Sequence, residues 1–119
     1  MIFVGTDIVP IIRIENLIKE KGERFLNHVY TKLEQNICNA KKSPFIHYSG
    51  KFAAKEAVKK TLLSSKLIKD IPLVSIEIQN DDDGAPLVHI PQDSIKYEQL
   101  QVSISHAGEY ATATAILKI

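Results

Sequence analysis

The chain has 119 residues, 45% of them hydrophobic, so it can bury one core but is too short for two domains of ordinary size. We therefore expect a single domain over residues 1–119. Its 15 Lys and Arg nearly balance its 14 Asp and Glu, so net charge gives no argument for a nucleic-acid or membrane partner. Cys38 is the only cysteine, which excludes an intrachain disulfide and a multi-cysteine zinc cluster. Without a secretory signal or an apolar run that could span a bilayer, a soluble, cytoplasmic protein is expected.

The first part of the chain has the pattern of a strand followed by a helix. Residues 2–5 are apolar and lead into Gly5-Thr6-Asp7, which predicts a buried strand with Asp7 in the turn at its end. Apolar residues then recur at three- and four-residue steps from Ile11, which predicts an amphipathic helix that stops at Gly22.

Two further helical segments follow. Helical spacing resumes at Phe25, and Thr31 with Glu34 matches a capping box, so a second helix is predicted to begin near Thr31. A third, alanine-rich helix is predicted from Phe45 to about Leu63. Its inward face is expected to consist of Phe52, Ala53, Ala57 and Leu63.

The second half of the chain is typical of antiparallel hairpins. Residues 74–78 alternate between apolar and polar, and Asp81-Asp82-Asp83-Gly84 supplies a turn to a partner strand at residues 87–90. A second hairpin is predicted across the turn His106-Ala107-Gly108-Glu109, between residues 102–105 and 110–119. Helices early and strands late indicate an α+β fold.

The third predicted helix carries charged residues at helical spacing. Glu56 and Lys60 share one face, where they could hold a hard divalent cation and a phosphate, although a surface ion pair explains the same spacing. Lys51, Lys55 and Lys59 repeat every four residues beside it. They predict a basic stripe suited to phosphates or to an acidic protein, with a solvated lysine face as the simpler interpretation.

Asp7 and His106 are further candidates, because each lies where a strand is predicted to enter a turn. Asp7 could be a second oxygen ligand for magnesium, or it could cap a helix. His106 could donate to a phosphate or accept a proton, or it could hydrogen-bond locally. The other histidines lack metal-ligand spacing and are interpreted as structural or surface residues; they are His28, His47 and His89.

Several familiar sites are excluded. Asp81-Asp82-Asp83-Gly84 lacks the alternating ligands and final Glu of an EF-hand loop, so a hairpin turn explains it better. The sequence has no Walker loop, no G-x-G-x-x-G after a strand and no G-x-S-x-G elbow, which excludes the common nucleotide-binding and serine-hydrolase motifs.

Three separated motifs occur in the order found in one enzyme family. They are Gly5-Thr6-Asp7-Ile8-Val9 with Arg13, Gly50-Lys51-Phe52-Ala53-Ala54-Lys55-Glu56-Ala57 with Lys60, and Val102-Ser103-Ile104-Ser105-His106 followed by Tyr110-Ala111. Through them the chain resembles the bacterial holo-acyl-carrier-protein synthases, the short trimeric type of phosphopantetheinyl transferase. The resemblance implies transfer of phosphopantetheine from coenzyme A to a serine of apo acyl carrier protein, with Mg2+, in fatty acid biosynthesis. The second product is adenosine 3',5'-bisphosphate.

The resemblance also implies roles for individual residues. Asp7 and Glu56 would bind magnesium, while Lys60 and His106 would contact phosphate oxygens of coenzyme A. Lys51 stands where the family usually has Arg, so it is expected to meet a phosphate as a point charge without the bidentate fork. Lys60 would stabilise charge on the leaving phosphate. The proton acceptor stays open between Glu56, acting through a water, and His106, with Glu56 narrowly preferred.

Partners are implied in the same way. Family members bind the acidic recognition helix of the carrier protein on their first helix, for which a local basic face is enough. The corresponding docking residues here are Arg13, Leu17, Arg24 and Phe25. A homotrimer with active sites between neighbouring subunits is expected from the resemblance alone.

The chain departs from the family pattern at three places. After Lys60 it continues with residues 61–66, Thr-Leu-Leu-Ser-Ser-Lys, where the family usually has a glycine-containing loop. Gly84 and Pro86 are implied to lie at coenzyme A, but Ala85 between them replaces a lysine. Pro10 stands where Glu is frequent. These changes predict weaker binding of coenzyme A and an intact metal site.

Two other functions remain as alternatives. The altered residues 61–66 and Ala85 are compatible with a degenerate family member that binds coenzyme A or acidic proteins without chemistry. The lysine stripe is compatible with a small RNA-binding module, but an aromatic content of 7% with no Trp leaves little for base stacking.

Overall fold

A computed structural model describes residues 1–91 and 95–119. The elements in chain order are β1 (Ile2–Pro10), α1 (Ile11–Lys21), α2 (Glu23–Val29), α3 (Lys32–Asn39), α4 (Pro44–Ser64), β2 (Glu77–Asn80), β3 (Pro86–His89), β4 (Gln99–Ala107) and β5 (Tyr110–Lys118). Helices follow the first strand and antiparallel strands follow the helices, so the predicted α+β fold is confirmed. Among these residues no helix combines the length and apolar character needed to cross a membrane.

The strands form two antiparallel sheets. The larger sheet has the order β1-β5-β4, and the smaller one is the hairpin of β2 and β3. In the larger sheet Asp7 is paired with Ala113, and Ala113 is paired in turn with Ile104. Strand β1 is therefore one edge of this sheet and β4 the other, with β5 between them.

Helix α4 packs against one face of the larger sheet, and the side chains between them are small. Alanine allows the helix backbone to come close to the strands without leaving a void. The buried alanines on the helix are Ala53, Ala54 and Ala57, and those on β5 are Ala111, Ala113 and Ala115. This close packing fixes α4 relative to the strands on both sides of β5.

Strand β1 is longer than the sequence predicted. It does not turn at Gly5-Thr6-Asp7 but pairs with β5 along its whole length, to Pro10 opposite Tyr110. Gly5 is required by packing instead of by a turn, because a Cβ atom there would lie 2.1 Å from the main-chain oxygen of Ala57. Asp7 consequently lies within the strand and not at its end.

The helical half agrees with most of the predictions. Helix α1 ends at Lys21, before Gly22, whose φ of 55° suits glycine. The predicted capping box is confirmed: Thr31 Oγ1 accepts from the Glu34 amide at 3.3 Å, and Glu34 Oε1 accepts from the Thr31 amide at 2.8 Å. The segment before it, however, forms a helix of its own, α2.

The third predicted helix is α4, and one residue of its predicted inward face is wrong. Leu63 is 37% exposed, whereas Leu62 is fully buried, so the apolar stripe is shifted by one position at this end. The helix continues through residues 61–64, the first part of the segment that departs from the family pattern. Lys66 then has a φ of 62°.

In the second half the hairpins are confirmed and their limits are corrected. Residues 73–75 form a short 3-10 turn, and strand β2 begins only at Glu77. Strand β4 continues through Ala107, so the second hairpin turn contains only Gly108 and Glu109. His106 therefore lies within β4, opposite Ala111, and not in the turn.

Candidate functional site

Helix α4 carries three of the candidate residues and crosses the larger sheet obliquely. Near its start, a Cβ atom on Gly50 would lie 3.0 Å from the Ile104 side chain of β4. Two turns later, Ala57 and Lys60 approach Gly5 of β1. The first part of the helix thus faces β4 and the later part faces β1, with a cleft at each place.

The first cleft, here called the α4–hairpin cleft, lies among helix α4, strand β4 and the turn between β2 and β3. Its volume is about 390 Å³. It brings together Lys51, Gly84 and His106, three of the five residues expected at coenzyme A. Of the other two, Pro86 starts strand β3 outside the lining and Lys60 lies at the second cleft. The other lining residues include Lys41, His47, Asn80, Asp81 and Asp82.

Lys51 in this cleft is only 5% exposed. Its Nζ donates to the main-chain oxygen of Ile78 at 3.0 Å and to Asn80 Oδ1 at 3.3 Å. An ammonium has three donors, so these contacts leave one for an anion. Burial lowers the pKa of Lys51, because the charged form loses hydration. The side chain therefore ties the small sheet to α4 and also lines the cleft.

The second cleft, here called the Asp7 cleft, has a volume of about 370 Å³ and is lined by Thr6, Asp7, Ile8, Lys60 and Thr112. Lys60 Nζ donates to the main-chain oxygen of Thr6 at 2.7 Å and to Asp7 Oδ1 at 3.3 Å. The Thr112 hydroxyl donates to the main-chain oxygen of Asp7 at 2.9 Å. Asp7 and Lys60 are thus held together at the edge of the sheet.

The alternative of a Glu56–Lys60 surface ion pair is not what the structure contains. Lys60 pairs with Asp7, and within residues 1–91 and 95–119 the ion pairs do not include Glu56. Glu56 lies one helical turn before Lys60, about 5–6 Å along the axis, and is partly exposed. Its carboxylate is therefore available for another partner.

Asp7 lines this cleft, and Glu56 lies one turn from Lys60, which also lines it. The described residues hold no cluster of three or more His, Cys, Asp or Glu side chains suited to a metal. Magnesium usually takes one or two carboxylates and completes its shell with waters and substrate phosphate. Two carboxylates therefore suit magnesium bound together with a phosphate substrate, and do not suit an all-protein site.

The predicted lysine stripe is wrong. Lys55 is fully buried, where its Nζ donates to Glu34 Oε1 at 2.6 Å and to the main-chain oxygen of Ile76 at 2.7 Å. Lys59 pairs with Asp70 at 3.2 Å. Neither the basic stripe nor the solvated lysine face exists, because Lys51 and Lys55 are both buried and hydrogen-bonded to other elements.

Three of the four expected docking residues lie together. Leu17, Arg24 and Phe25 line a surface pocket of about 340 Å³ between α1 and α2, together with Lys21 and His28. Two of the five lining residues are apolar and three are basic. Arg13 is exposed on α1 but does not line this pocket.

Sequence reasoning missed His47 as a functional candidate. His47 is exposed, as expected of a surface residue, but it also lines the α4–hairpin cleft with Lys51. The spacing of four residues between them on one helix was the available signal, because such residues share a face. His28 and His89 are exposed, as expected of surface residues.

Comparison with known proteins relates the whole chain to one family. Residues 3–115 match the family model described as ACPS, the 4'-phosphopantetheinyl transferase superfamily. A holo-[acyl-carrier-protein] synthase of Protochlamydia amoebophila is 44% identical over 116 residues, which cover 95% of this chain and 94% of that protein.

Two solved structures share the fold over nearly the whole chain. The ACPS–CoA complex of Chronobacterium ammoniagenes has a TM-score of 0.85 and 26% identity, covering 99% of this chain and 97% of that one. The holo-(acyl-carrier-protein) synthase of Bacillus anthracis, in complex with CoA (3',5'-ADP), has a TM-score of 0.80 and 30% identity, with coverage of 97% and 94%.

Proposed function

The chain belongs to the 4'-phosphopantetheinyl transferase superfamily as a holo-acyl-carrier-protein synthase, and we propose that it moves phosphopantetheine from coenzyme A to a serine of apo acyl carrier protein. In the proposed reaction magnesium is required and adenosine 3',5'-bisphosphate is released. The physiological acceptor is a carrier protein of fatty acid biosynthesis in the cytoplasm. The two solved relatives are both complexes with CoA, which supports this donor.

The observation that carries the proposal is the contact between Lys60 and Asp7. It joins the first motif to the second, although 53 residues separate the two side chains along the chain. Glu56 lies one turn away on the same helix. A carboxylate pair beside an ammonium suits a pyrophosphate, because the ammonium can contact its oxygens while the carboxylates hold a cation.

The proposed transfer is a displacement at phosphorus. The serine oxygen of the carrier forms a bond to the β-phosphorus, which bears the pantetheine, and the bond from this phosphorus to the bridging oxygen breaks. The bridging oxygen leaves with adenosine 3',5'-bisphosphate. Lys60, fixed by Thr6 and Asp7, is placed to stabilise the charge that develops on the leaving phosphate. The serine proton passes to Glu56 through a water, with His106 as the alternative acceptor.

Asp7 and Glu56 are the residues that would hold magnesium. When bound there, the ion would neutralise charge on the pyrophosphate of coenzyme A and align it for attack. Lys60 contacts Asp7 Oδ1 at 3.3 Å, which leaves Oδ2 of the carboxylate for the ion. A hydrogen bond to its backbone from Thr112 further fixes the position of Asp7.

The α4–hairpin cleft is the proposed site for the adenosine bisphosphate part of coenzyme A. Lys51 and His106 offer donors to phosphate there, and Gly84 leaves room at the turn between β2 and β3. Ala85 offers no charge, so Lys51 has a larger share of phosphate binding than in a member with lysine at that position. The pocket of Leu17, Arg24 and Phe25 is the proposed contact for the acidic helix of the carrier.

A homotrimer with shared sites would reconcile the two clefts. Lys51 and Lys60 are nine residues apart on one helix, or about 14 Å along its axis, and they line different clefts. On its outward side β1 exposes the apolar side chains of Ile2, Val4 and Ile8, and Ile116 of β5 lies beside Val4. Such a face on a soluble chain marks a contact with another protein. We assign it to neighbouring subunits, so that the Asp7 cleft of one adjoins the α4–hairpin cleft of the next.

Intact-mass measurement of the carrier tests the activity. Incubation of the protein with magnesium, coenzyme A and an apo carrier protein is expected to make the carrier heavier by one phosphopantetheine, and removal of the metal with a chelator is expected to stop the gain. Asp7→Ala and Glu56→Ala are each expected to reduce the rate by about 100-fold or more, since each removes a ligand of the metal and Glu56→Ala also removes a positioned base, which alone contributes about that much. Lys59→Ala is the matched control, because Lys59 neighbours Lys60 but pairs with Asp70.

Two results would contradict the proposal. If no carrier protein of the source cell gains mass, the transferase activity is absent. If the protein binds coenzyme A and carrier but no mass gain follows, the degenerate, non-catalytic alternative is correct. An equal loss of rate in Lys59→Ala and Glu56→Ala would mean that α4, and not the Asp7 cleft, had been disturbed.

A further inference from the structure

His47 lies among the basic groups of the α4–hairpin cleft, but it has no role in the reaction proposed above. It lies on α4 one turn before Lys51, and both side chains line the α4–hairpin cleft. Lys41 enters the cleft from the segment before α4, and His106 enters it from β4. Four basic side chains from three parts of the chain therefore surround one cavity of about 390 Å³.

Two acidic residues face this cluster from the turn between β2 and β3. They are Asp81 and Asp82. Asp81 is engaged in the turn, because its Oδ1 accepts from the amides of Asp83 and Ala85, each at 2.9 Å. These hydrogen bonds hold Asp81 in the turn and satisfy one of its oxygens, while the four basic side chains bring N–H donors to the cavity, which suits an anion as the ligand.

The pKa of His47 is lower than that of a free imidazole, so less of it is protonated at a given pH. Burial lowers its pKa, and the charges of Lys41, His106 and Lys51 lower it further. The imidazole is therefore mainly neutral at pH 7. An anion in the cleft would reverse the effect of these neighbours, because an opposite charge nearby favours the protonated form.

We propose that His47 is a phosphate contact that becomes charged when its ligand binds: a phosphate monoester dianion enters the α4–hairpin cleft, and His47 takes up a proton as it does so. The proposal rests on the function above, in which adenosine 3',5'-bisphosphate is the ligand that brings a phosphate monoester. A dianion suits the site because Lys51 has one free donor and Lys41 and His47 lie around the same cavity. His47 then favours ligands with a monoester phosphate over ligands without one.

The consequence is a pH dependence of binding with a defined sign. The pKa of His47 is low without ligand and higher with it, so affinity rises as the pH falls from the higher value to the lower one. A rise of one pKa unit corresponds to about tenfold tighter binding below both values than above both. The second ionisation of the phosphate lies near pH 6 and affects every variant equally, so comparison of variants isolates the part due to His47.

The first measurement is an NMR titration of the histidine side chains in the wild-type protein, with no ligand, with adenosine 3',5'-bisphosphate and with inorganic phosphate. We expect the pKa of His47 to rise by about one unit with either phosphate compound. A merely structural histidine would keep the same pKa. The proposal is overturned if neither compound raises it.

The second measurement is calorimetric binding of adenosine 3',5'-bisphosphate to His47→Gln and His89→Gln between pH 5.5 and 8.5. His89 is the matched control, since it lies exposed on strand β3 of the hairpin and does not line the cleft. Wild type and His89→Gln are expected to bind about tenfold tighter than His47→Gln at the acidic end and equally at the alkaline end. Identical pH dependence in all three proteins would overturn the proposal.

The two proposals fail separately. If a carrier gains mass but the pKa of His47 does not change with ligand, the transferase proposal stands and the proposed role of His47 is wrong. If the pKa of His47 rises with inorganic phosphate but the protein modifies no carrier, the anion site stands and the transferase proposal is wrong.

Discussion

Gly5 is the residue at which helix α4 comes closest to strand β1. A methyl group there would lie 2.1 Å from the main-chain oxygen of Ala57 and 3.1 Å from the Cβ of Lys60. Backbone atoms cannot rotate away as a side chain can, so helix and strand would have to separate. Asp7 lies on the same strand as Gly5, and Lys60 lies on the same helix as Ala57, so the displacement would also move apart the two side chains of the Asp7 cleft.

Gly5→Ala is therefore expected to lower the free energy of unfolding by about 3 kcal/mol, at the upper end of overpacking costs, and to reduce transferase activity. Gly50→Ala is the matched control. Its Cβ would lie 3.0 Å from the Cγ2 methyl of Ile104, a contact that a shift of a few tenths of an ångström relieves, and alanine gains about 1 kcal/mol of helix propensity over glycine, so little net change is expected. Urea denaturation measures both. Equal stability of the two variants would show that the approach at Gly5 is not limiting.

This residue also explains why the end of β1 was predicted wrongly. Gly-Thr-Asp is a common turn sequence, and nothing local distinguishes a glycine in a turn from one that admits a helix. The distinction depends on Ala57, 52 positions away. Where the determinant is local the prediction succeeds, as at Thr31 and Glu34, whose capping box involves only neighbouring residues.

At the scale of elements, the buried pair of Glu34 and Lys55 joins α3, α4 and the start of the small sheet. Glu34 accepts from the amide of Ile78 at 2.8 Å and from Lys55 at 2.6 Å. Lys55 donates also to the main-chain oxygens of Leu73 and Ile76. Both side chains are fully buried and their hydrogen bonds go to three separate elements. Their burial could not be predicted, since helical spacing showed the lysines on one face but not which face was inward.

Removal of one partner from this pair leaves a buried charge without compensation. Lys55→Met is expected to lower the free energy of unfolding by about 3–5 kcal/mol. The double variant Glu34→Gln with Lys55→Met is expected to recover part of this loss, because no buried charge then remains. Lys19→Met is the control: Lys19 pairs with Glu15 at 3.0 Å on the surface of α1 and is expected to cost less than about 1 kcal/mol.

Chemical denaturation of these variants and of the wild type gives the comparison. If the double variant is less stable than Lys55→Met, the hydrogen bonds of Glu34 to the backbone, and not the unpaired charge, determine the loss. Since β2 leads into the turn that lines the α4–hairpin cleft, weaker binding of adenosine 3',5'-bisphosphate is expected to accompany the lower stability of Lys55→Met.

At the scale of the whole molecule, the candidate residues separate into two sets. Asp7 and Lys60 line one cleft, while Lys51 and His106 line another. The resemblance assigned all four residues to motifs of one family. The order of the motifs along the chain, however, does not show which residues meet within one subunit. The exposed apolar side chains of β1, with Ile116 beside them, give a physical reason for a neighbour that would bring the two sets together.

Subunit complementation tests this arrangement. A trimer in which all three subunits carry Asp7→Ala is expected to be inactive, and so is one in which all three carry His106→Ala, because every shared site then lacks one residue. In mixed trimers made by co-expression, random assembly would leave about a quarter of the sites with both residues intact, so mass transfer to the carrier should return to about a quarter of the wild-type rate. If Asp7 and His106 served the same site within one subunit, no mixture would be active.

The same face provides the control for complementation. Val4 is 59% exposed and lies opposite Ile116 across the two strands, so Val4→Asp places a charge in the middle of the proposed contact. Added to both inactive variants, it is expected to yield monomers by analytical ultracentrifugation and to abolish complementation. Leu33→Asp, at a residue 45% exposed on α3, is expected to leave trimer and complementation intact. A monomeric wild type that is nevertheless active would place the reaction within one subunit, and the two clefts would then have to be reached by one extended coenzyme A.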